Sequence, residues 1–320
     1  MIDITLQNFE TDLIAASMRQ PVLLDIWAPW CGPCKSLGPV LEKLEVAYAG
    51  RFALAKLNSD EQQEIAGQLS QAFGVRSIPF CVMFSQGQPV DGFVGAIPEA
   101  QIREFLDKHV PSTNELEAEA EVAEAEDLLA AGGDPDAALA KLQEAVAMAP
   151  DNDGARLDYL KLLLQRAPME PGRVAQARAT FKPVMTKVMQ DARFAAIEHW
   201  LKAAEAAPRA RTAETLADAV AANKRDFEAR FEIAQCLLAA GHFTAAMDEL
   251  LEILMRDKAW NQDLARKTYV AILELMTKPA PKAAAGDSGK STLELTGKAA
   301  AQPSDPVLDQ YRRKLSMVLF

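Results

Sequence analysis

Short apolar runs alternate with helical patterns over the first hundred or so residues. Residues 2–6 (IDITL), 22–28 (VLLDIWA), 52–58 (FALAKLN), 80–85 (FCVMFS) and 89–95 (PVDGFVG) predict five strands. Apolar residues at helical spacing predict helices at about 8–18, 32–49, 62–72 and 98–109. This is a mixed α/β pattern over residues 1–111. Residues 110–114 (VPSTN) then bring a proline and helix-capping types and mark a boundary. From 115 to about 278 no run has strand character. Ala, Leu, Glu and Arg recur at helical spacing, broken by small-residue turns such as AAGGDPDAA and AAGHFTAA.

Those two turns align with Gly133 on Gly241, Ala138 on Ala246 and Leu139 on Met247. A small-residue turn followed by Ala and then a large apolar residue is how helix-turn-helix repeats pack. The two copies lie roughly three tetratricopeptide lengths of about 34 residues apart. The stretch 153–224 fits that template poorly, so a generic helical bundle stays open beside a tetratricopeptide-like array. Either is a stack of antiparallel helices. Residues 279–304 are low-complexity Ala, Gly, Ser, Lys and Pro and predict a flexible linker. Residues 305–320 resume a helical pattern, with Asp305 as N-cap and Pro306 in the first turn. Val307, Tyr311, Leu315 and Val318 or Leu319 share one face, with Leu308 beside them. Such a helix either closes the last groove of the array or enters the apolar groove of a partner. The long linker before it favours the partner.

Composition narrows the function classes. The 320 residues carry 45 Asp and Glu against 34 Lys and Arg, a formal net charge of -11. Nucleic acids and anionic membranes call for clustered cations, so neither is an expected partner. No apolar stretch approaches the roughly 20 residues of a membrane span. The segment MIDITLQNFETD has no basic region followed by an apolar one, as a secretory signal would. Four cysteines do not form a disulfide framework. The expected location is the reducing cytoplasm.

The candidate chemistry lies in WAPWCGPCK, residues 27–35. Cys31 and Cys34, separated by Gly32 and Pro33 after an apolar strand pattern, read as a redox pair at a strand-to-helix turn. A helix starting near Gly32 places free N–H groups and the positive end of the dipole at Cys31, which favours its thiolate. Cys34, one turn on, is expected to be more buried and to need a base. Asp25, inside the run Leu23-Leu24-Asp25-Ile26-Trp27, is the candidate: burial raises a carboxyl pKa towards neutrality. A zinc site needs two more ligands, and Cys81, Cys236, His109, His199 and His242 show no metal spacing. Cys81 and Cys236 read as packing residues, with an extra redox thiol at Cys81 as the alternative. Residues 284–291 satisfy the loose form of a phosphate-binding loop. They lack the flanking strand and helix that would converge N–H groups on phosphate, so no nucleotide is expected.

Trp27, Trp30, Cys31-Gly32-Pro33-Cys34, Asp25, Pro39, Ile78-Pro79 and Val94-Gly95-Ala96, in that order and spacing, resemble the thioredoxins. The resemblance implies a thioredoxin fold over residues 1–111, with no cofactor beyond the Cys31–Cys34 disulfide. It implies Cys31 as nucleophile, Cys34 as resolving thiol, Asp25 as proton relay and Lys56 as its moderating neighbour. It also implies a cis Ile78–Pro79 bond and a docking rim of Trp30, Gly32, Pro33, Ile78, Val94 and Gly95. The Gly-Pro pair resembles that of reducing members.

The stretches 73–80 (FGVRSIPF), 87–108 (GQPVDGFVGAIPEAQIREFLDK) and 311–320 (YRRKLSMVLF) extend the likeness. Over about 1–278 and 305–320 the chain resembles the chaperedoxins, YbbN-type co-chaperones that join a thioredoxin domain to a tetratricopeptide-like one. The linker is longer than that family's usual connection. The resemblance implies a holdase for unfolding or oxidised clients that protects their cysteines under oxidative stress and passes them to a GroEL-type chaperonin. Tyr311, Arg312, Leu315, Leu319 and Phe320 would carry the chaperonin contact, with Hsp70 and thioredoxin reductase as further partners. The competing expectations are a disulfide reductase whose helical domain selects one substrate, and a scaffold with a vestigial redox domain.

Overall fold

The computed structural model describes residues 2–277 and 305–319, and within them the chain divides into two compact units. The first runs to Leu116; the second begins at Glu117 and includes 305–319. The division falls inside a helix, α5 (Thr113–Ala130). The expected linker at 279–304, the loop-like motif at 284–291 and Phe320 lie outside the described residues.

The first unit is a five-stranded sheet in the order β1 (Ile2–Asp3), β3 (Ala53–Asn58), β2 (Val22–Trp27), β4 (Phe80–Ser85), β5 (Gln88–Val94). β3 runs parallel to β1 and β2, while β4 is antiparallel to β2 and β5. Alternation sorts the side chains onto two faces. Val22, Leu24 and Ile26 pack with Ile65 and Leu69 of α3 (Gln63–Phe73). Leu23, Leu54 and Met83 pack with Leu37, Leu41 and Leu44 of α2 (Gly32–Ala47) and with Ile102 and Leu106 of α4 (Glu99–His109). A π-helical turn (Phe9–Ile14) leads into the short α1 (Ala15–Ser17). The five-residue strand expected at the start is only two residues long. Asn8 accepts from the Thr5 N–H at 2.7 Å and donates to the Asp3 carbonyl at 2.9 Å, so a local turn takes groups the ladder would need.

The second unit is helical throughout its described residues. After α5 come α6 (Pro135–Met148), α7 (Asp153–Arg166), α8 (Gly172–Phe181), α9 (Ala192–Ala206), α10 (Ala213–Ala222), α11 (Phe227–Ala239), α12 (Phe243–Leu254) and α13 (Trp260–Met276). Side chains cap five of their starts: Asp134, Asn152, Asp191, Thr212 and Asp226 each accept a backbone N–H. Buried Phe181, Phe194, Trp200 and Tyr269 centre one continuous core. Prolines interrupt the helices within the stretch 153–224. At Pro183 the chain tightens into a 3-10 segment (Lys182–Met189), and at Pro208 it does so again (Ala207–Arg209).

The two aligned turns correspond with one shift. Gly132 (φ 69°) and Gly241 (φ 77°) occupy the left-handed position two residues past α5 and α11. The next residues, Gly133 and His242, return N–H bonds of 2.8 Å to the Leu128 and Leu237 carbonyls. Gly132, not Gly133, is thus the partner of Gly241. The first turn is one residue longer, which sequence alignment on the following Ala and Leu hides.

α14 (Pro306–Leu319) rests on its own unit. Asp305 caps it through the Val307 and Leu308 N–H groups at 2.9 and 3.3 Å. Leu308, Tyr311 and Leu315 join the core beside α12 and α13. The Tyr269 hydroxyl donates to the Tyr311 carbonyl at 2.8 Å, and the Tyr311 hydroxyl donates to Asp248 at 3.0 Å. Tyr311→Ala should destabilise the second unit by about 3 kcal/mol, from lost burial and a cavity. Faster amide exchange in α12 and α13 would report it, with the β2–β4 amides of the first unit unchanged as control.

Candidate functional site

The site begins where β2 ends. Its last residue, Trp27, is followed by a short turn, and Cys31 leaves it in an extended conformation (φ -78°, ψ 103°) as the N-cap of α2. Pro33, with no N–H to satisfy, suits the first turn. The Cys31 sulfur accepts from the Cys34 N–H at 3.2 Å, so the sulfur takes the place of a capping oxygen. Cys31 and Cys34 form a disulfide with their Cα atoms 5.3 Å apart.

Both cysteines are only 3% exposed, so Cys34 is not the more buried of the two. In the oxidised state Ala28, Trp27 and Ile78 cover the pair together. Gly32 and Pro33 between them are exposed. The Ile78–Pro79 bond is cis, and the Gly95 N–H donates to the Pro79 carbonyl at 2.8 Å. That bond joins the loop before β4 to the end of β5, whose Val94 is half open. Trp30 is 69% exposed, its indole donating to the Asp60 carboxylate at 3.0 and 3.2 Å.

Beneath α2 lies Asp25, 1% exposed. Parallel register sets it opposite Lys56 on β3, and antiparallel register sets it opposite Cys81 on β4. Burial pushes its pKa from 3.8 up to about 6; the Lys56 charge and the Cys81 thiol, 3.8 Å from Oδ1, pull the other way. Lys56 is shared, because its ammonium binds Glu42 of α2 at 2.9 Å. Glu42 and Cys81 are the neighbours that sequence reasoning missed. Both contacts depend on how strands and helix are laid side by side, which no local motif signals. Cys81 is fully buried, and burial together with Asp25 raises its pKa well above the usual thiol range. A thiol held protonated and out of solvent does not exchange disulfides.

A second concave feature lies in the helical unit. A groove of about 930 Å³ runs between α8, the end of α9 and α11, with Pro168, Val174, Ala204 and Ala239 on its walls. Arg178 and Glu205 pair at its edge. Cys236 also lines it, with a pKa raised by burial. On α14, Tyr311 and Leu315 face inward, whereas Arg312, Arg313 and Met317 are open.

The folded Asp25 titrates about two units above its unfolded value, so folding binds a proton between pH 4 and 6. Stability falls as pH rises through that window, and the cost of the ionised buried carboxylate is complete above about pH 6. Asp25→Ala in the oxidised protein is therefore expected to gain up to about 3 kcal/mol at pH 8 and nothing below pH 4. Denaturant melts at the two pH values measure the difference.

Comparison with known proteins follows the same division. The Thioredoxin family model matches residues 1–108. Two Tetratricopeptide repeat models match 128–201 and 206–293. The chain is 44% identical over 104 residues to a thioredoxin of Chlorobaculum thiosulfatiphilum, covering 32% of this chain and 91% of that protein. It is 42% identical over 103 residues to a thioredoxin of Haemophilus influenzae, again 32% and 91%. Against thioredoxin 1 of a Nostoc species it is 38% identical over 107 residues, covering 33% and 94%. With its disulfide at the start of α2, the chain belongs to the thioredoxin family through its first 108 residues, and tetratricopeptide repeats follow in sequence.

Proposed function

We propose that this protein is a redox co-chaperone of the chaperedoxin type. It holds unfolding clients on its helical unit and exchanges disulfides with them through Cys31 and Cys34. The observation that carries this reading is the presence in one chain of an intact two-cysteine site and a repeat unit with a wide apolar groove. Apolar concave surfaces between helices suit exposed apolar segments of other proteins. Among the described residues no helix is long and apolar enough to cross a membrane. We place its work in the cytoplasm.

In the reduced protein the Cys31 thiolate attacks a client disulfide. A Cys31–client disulfide forms, and the other client sulfur leaves as thiolate. Cys34 then gives its proton to Asp25 and attacks the Cys31 sulfur. The Cys31–Cys34 bond forms, the second client sulfur leaves, and the client has gained two electrons. A dithiol donor such as the thioredoxin reductase system resets the site. Trp30, Ile78, Val94 and Gly95 form the rim on which the client strand lies, and Lys56 restrains the pKa of the relay carboxyl.

The handover partner is a GroEL-type chaperonin, with Hsp70 as a second recipient. Because Tyr311 and Leu315 are covered by α12 and α13, the contact is assigned to the open face of α14, through Arg312 and Met317 with Leu319 at its margin.

Insulin reduction with dithiothreitol, and aggregation of a heat-unfolded client, test the two halves separately. Cys31→Ser should abolish reduction, and Cys34→Ser should accumulate mixed disulfides through Cys31. The wild-type chain should suppress aggregation. A full reductase without effect on aggregation is instead a substrate-selective reductase. The double substitution Arg312→Glu, Met317→Glu should cut chaperonin co-purification at least tenfold and leave insulin reduction intact. Unchanged binding removes α14 as the contact.

A further inference from the structure

Asp25 is a buried carboxylate with few supports. Among the described residues, the Cys81 thiol is the one group that hydrogen-bonds to its side chain, Sγ to Oδ1 at 3.8 Å. Lys56 sits in register on the other side, but its ammonium is engaged by Glu42. A buried carboxylate normally collects several strong donors. Here the donor is a thiol, which is weak.

The placement follows from the sheet. β2 and β4 are antiparallel, with Asp25 directly opposite Cys81. Leu23 and Met83, two residues along each strand, pack against α2 and α4, so Asp25 and Cys81 point to that same face. Cys81 is completely buried there. The charged and titratable groups around Asp25 are Lys56 from β3 and Cys81 from β4. From α2, Glu42 reaches Lys56 and holds its ammonium at 2.9 Å.

We propose that Cys81 is a positioning residue of the exchange site: its thiol donates to Asp25 and fixes that carboxylate beneath α2. The assignment rests on Asp25 serving as the base for Cys34. A weak donor suits this task. It orients the carboxylate yet leaves it free to take a proton, whereas a set of strong donors would hold it ionised and make it a poor base. Cys81 undergoes no redox change in this role, because it is buried and protonated.

The test uses the full chain labelled with 13C at aspartate carboxyls, with the Asp25 signal assigned by its loss in Asp25→Asn. In the oxidised protein the wild-type midpoint should lie at about 6. Cys81→Val keeps the shape but removes the donor, and should raise the midpoint by about half to one pH unit. Cys81→Ser keeps a donor and should leave it at or below the wild-type value. In single-turnover release of product from the Cys31–client mixed disulfide, the acid limb for Cys81→Val should move by the same amount. That slows release about two- to fivefold at pH 6. An unmoved midpoint in Cys81→Val, or an equal rise in Cys81→Ser, overturns the proposal. A midpoint that rises while the kinetic limb stays put shows that Asp25 is not the base, and removes Cys81 from the exchange reaction with it. If Asp25→Asn leaves the wild-type pH profile unchanged, the base reading fails on its own evidence, whatever Cys81 does.

Discussion

One strand register governs the first unit. β2 lies between β3 and β4 and is buried along nearly its whole length. Its only charged residue, Asp25, shares a face with Leu23, under α2. A slip of one residue would turn Asp25 into the opposite core of Val22, Leu24 and Ile26, and would part it from both Lys56 and Cys81. The same strand ends at Trp27 and so fixes where the turn delivers Cys31 to the start of α2. The carboxylate and the disulfide are thus placed by one element, the first by its register and the second by its end.

The helical unit relies on closer packing of smaller side chains. Ala138, Ala145, Ala177, Ala229 and Ala246 are fully covered and let neighbouring helices approach. Two buried arginines tie irregular segments together. Arg156 donates to the Thr180 carbonyl at 3.1 Å and to the Pro150 carbonyl at 2.6 Å. Arg230 donates to the Lys224 carbonyl at 3.3 Å and pairs with Glu249 at 2.7 Å. Each guanidinium offers several donors and uses at least one on a carbonyl near a helix end, where intrahelical bonds run out.

What the sequence disclosed and what it withheld divide along the range of the interactions. The Cys31–Cys34 pair, the strand-to-helix turn, the capping residues and the buried setting of Asp25 are local, and local pattern revealed them. The contacts of Asp25 were not legible in the same way. Lys56 was reached by resemblance, whereas Cys81 lies far along the chain and meets Asp25 only once register is set, and Glu42 reaches Lys56 only once α2 is in place. The prolines at 183 and 208 were visible, but the 3-10 segments they induce were not. The apolar stripe of α14 was legible at Tyr311 and Leu315, but Val307, placed on it, is exposed, and its neighbour Leu308 is buried instead. Closing the array was one of the two roles the stripe suggested; that α12 and α13 provide the cover could not be read, because a stripe states that it is covered without naming the cover.

The covering of that stripe has a consequence for the making of the protein. Some 43 residues separate the end of α13 from the end of α14. At a ribosomal rate of about 5–20 residues per second, the closing helix is finished about two to nine seconds after the array it closes. Throughout that interval Tyr269 lacks the Tyr311 carbonyl, and the apolar flank of α12 and α13 stands bare on a nascent chain. Chain closure is far faster than that, so translation, not diffusion, sets how long the flank stays open. A slower ribosome lengthens the exposure in direct proportion, and codon choice between 277 and 319 becomes a determinant of how often this end of the array meets another chain before its own helix.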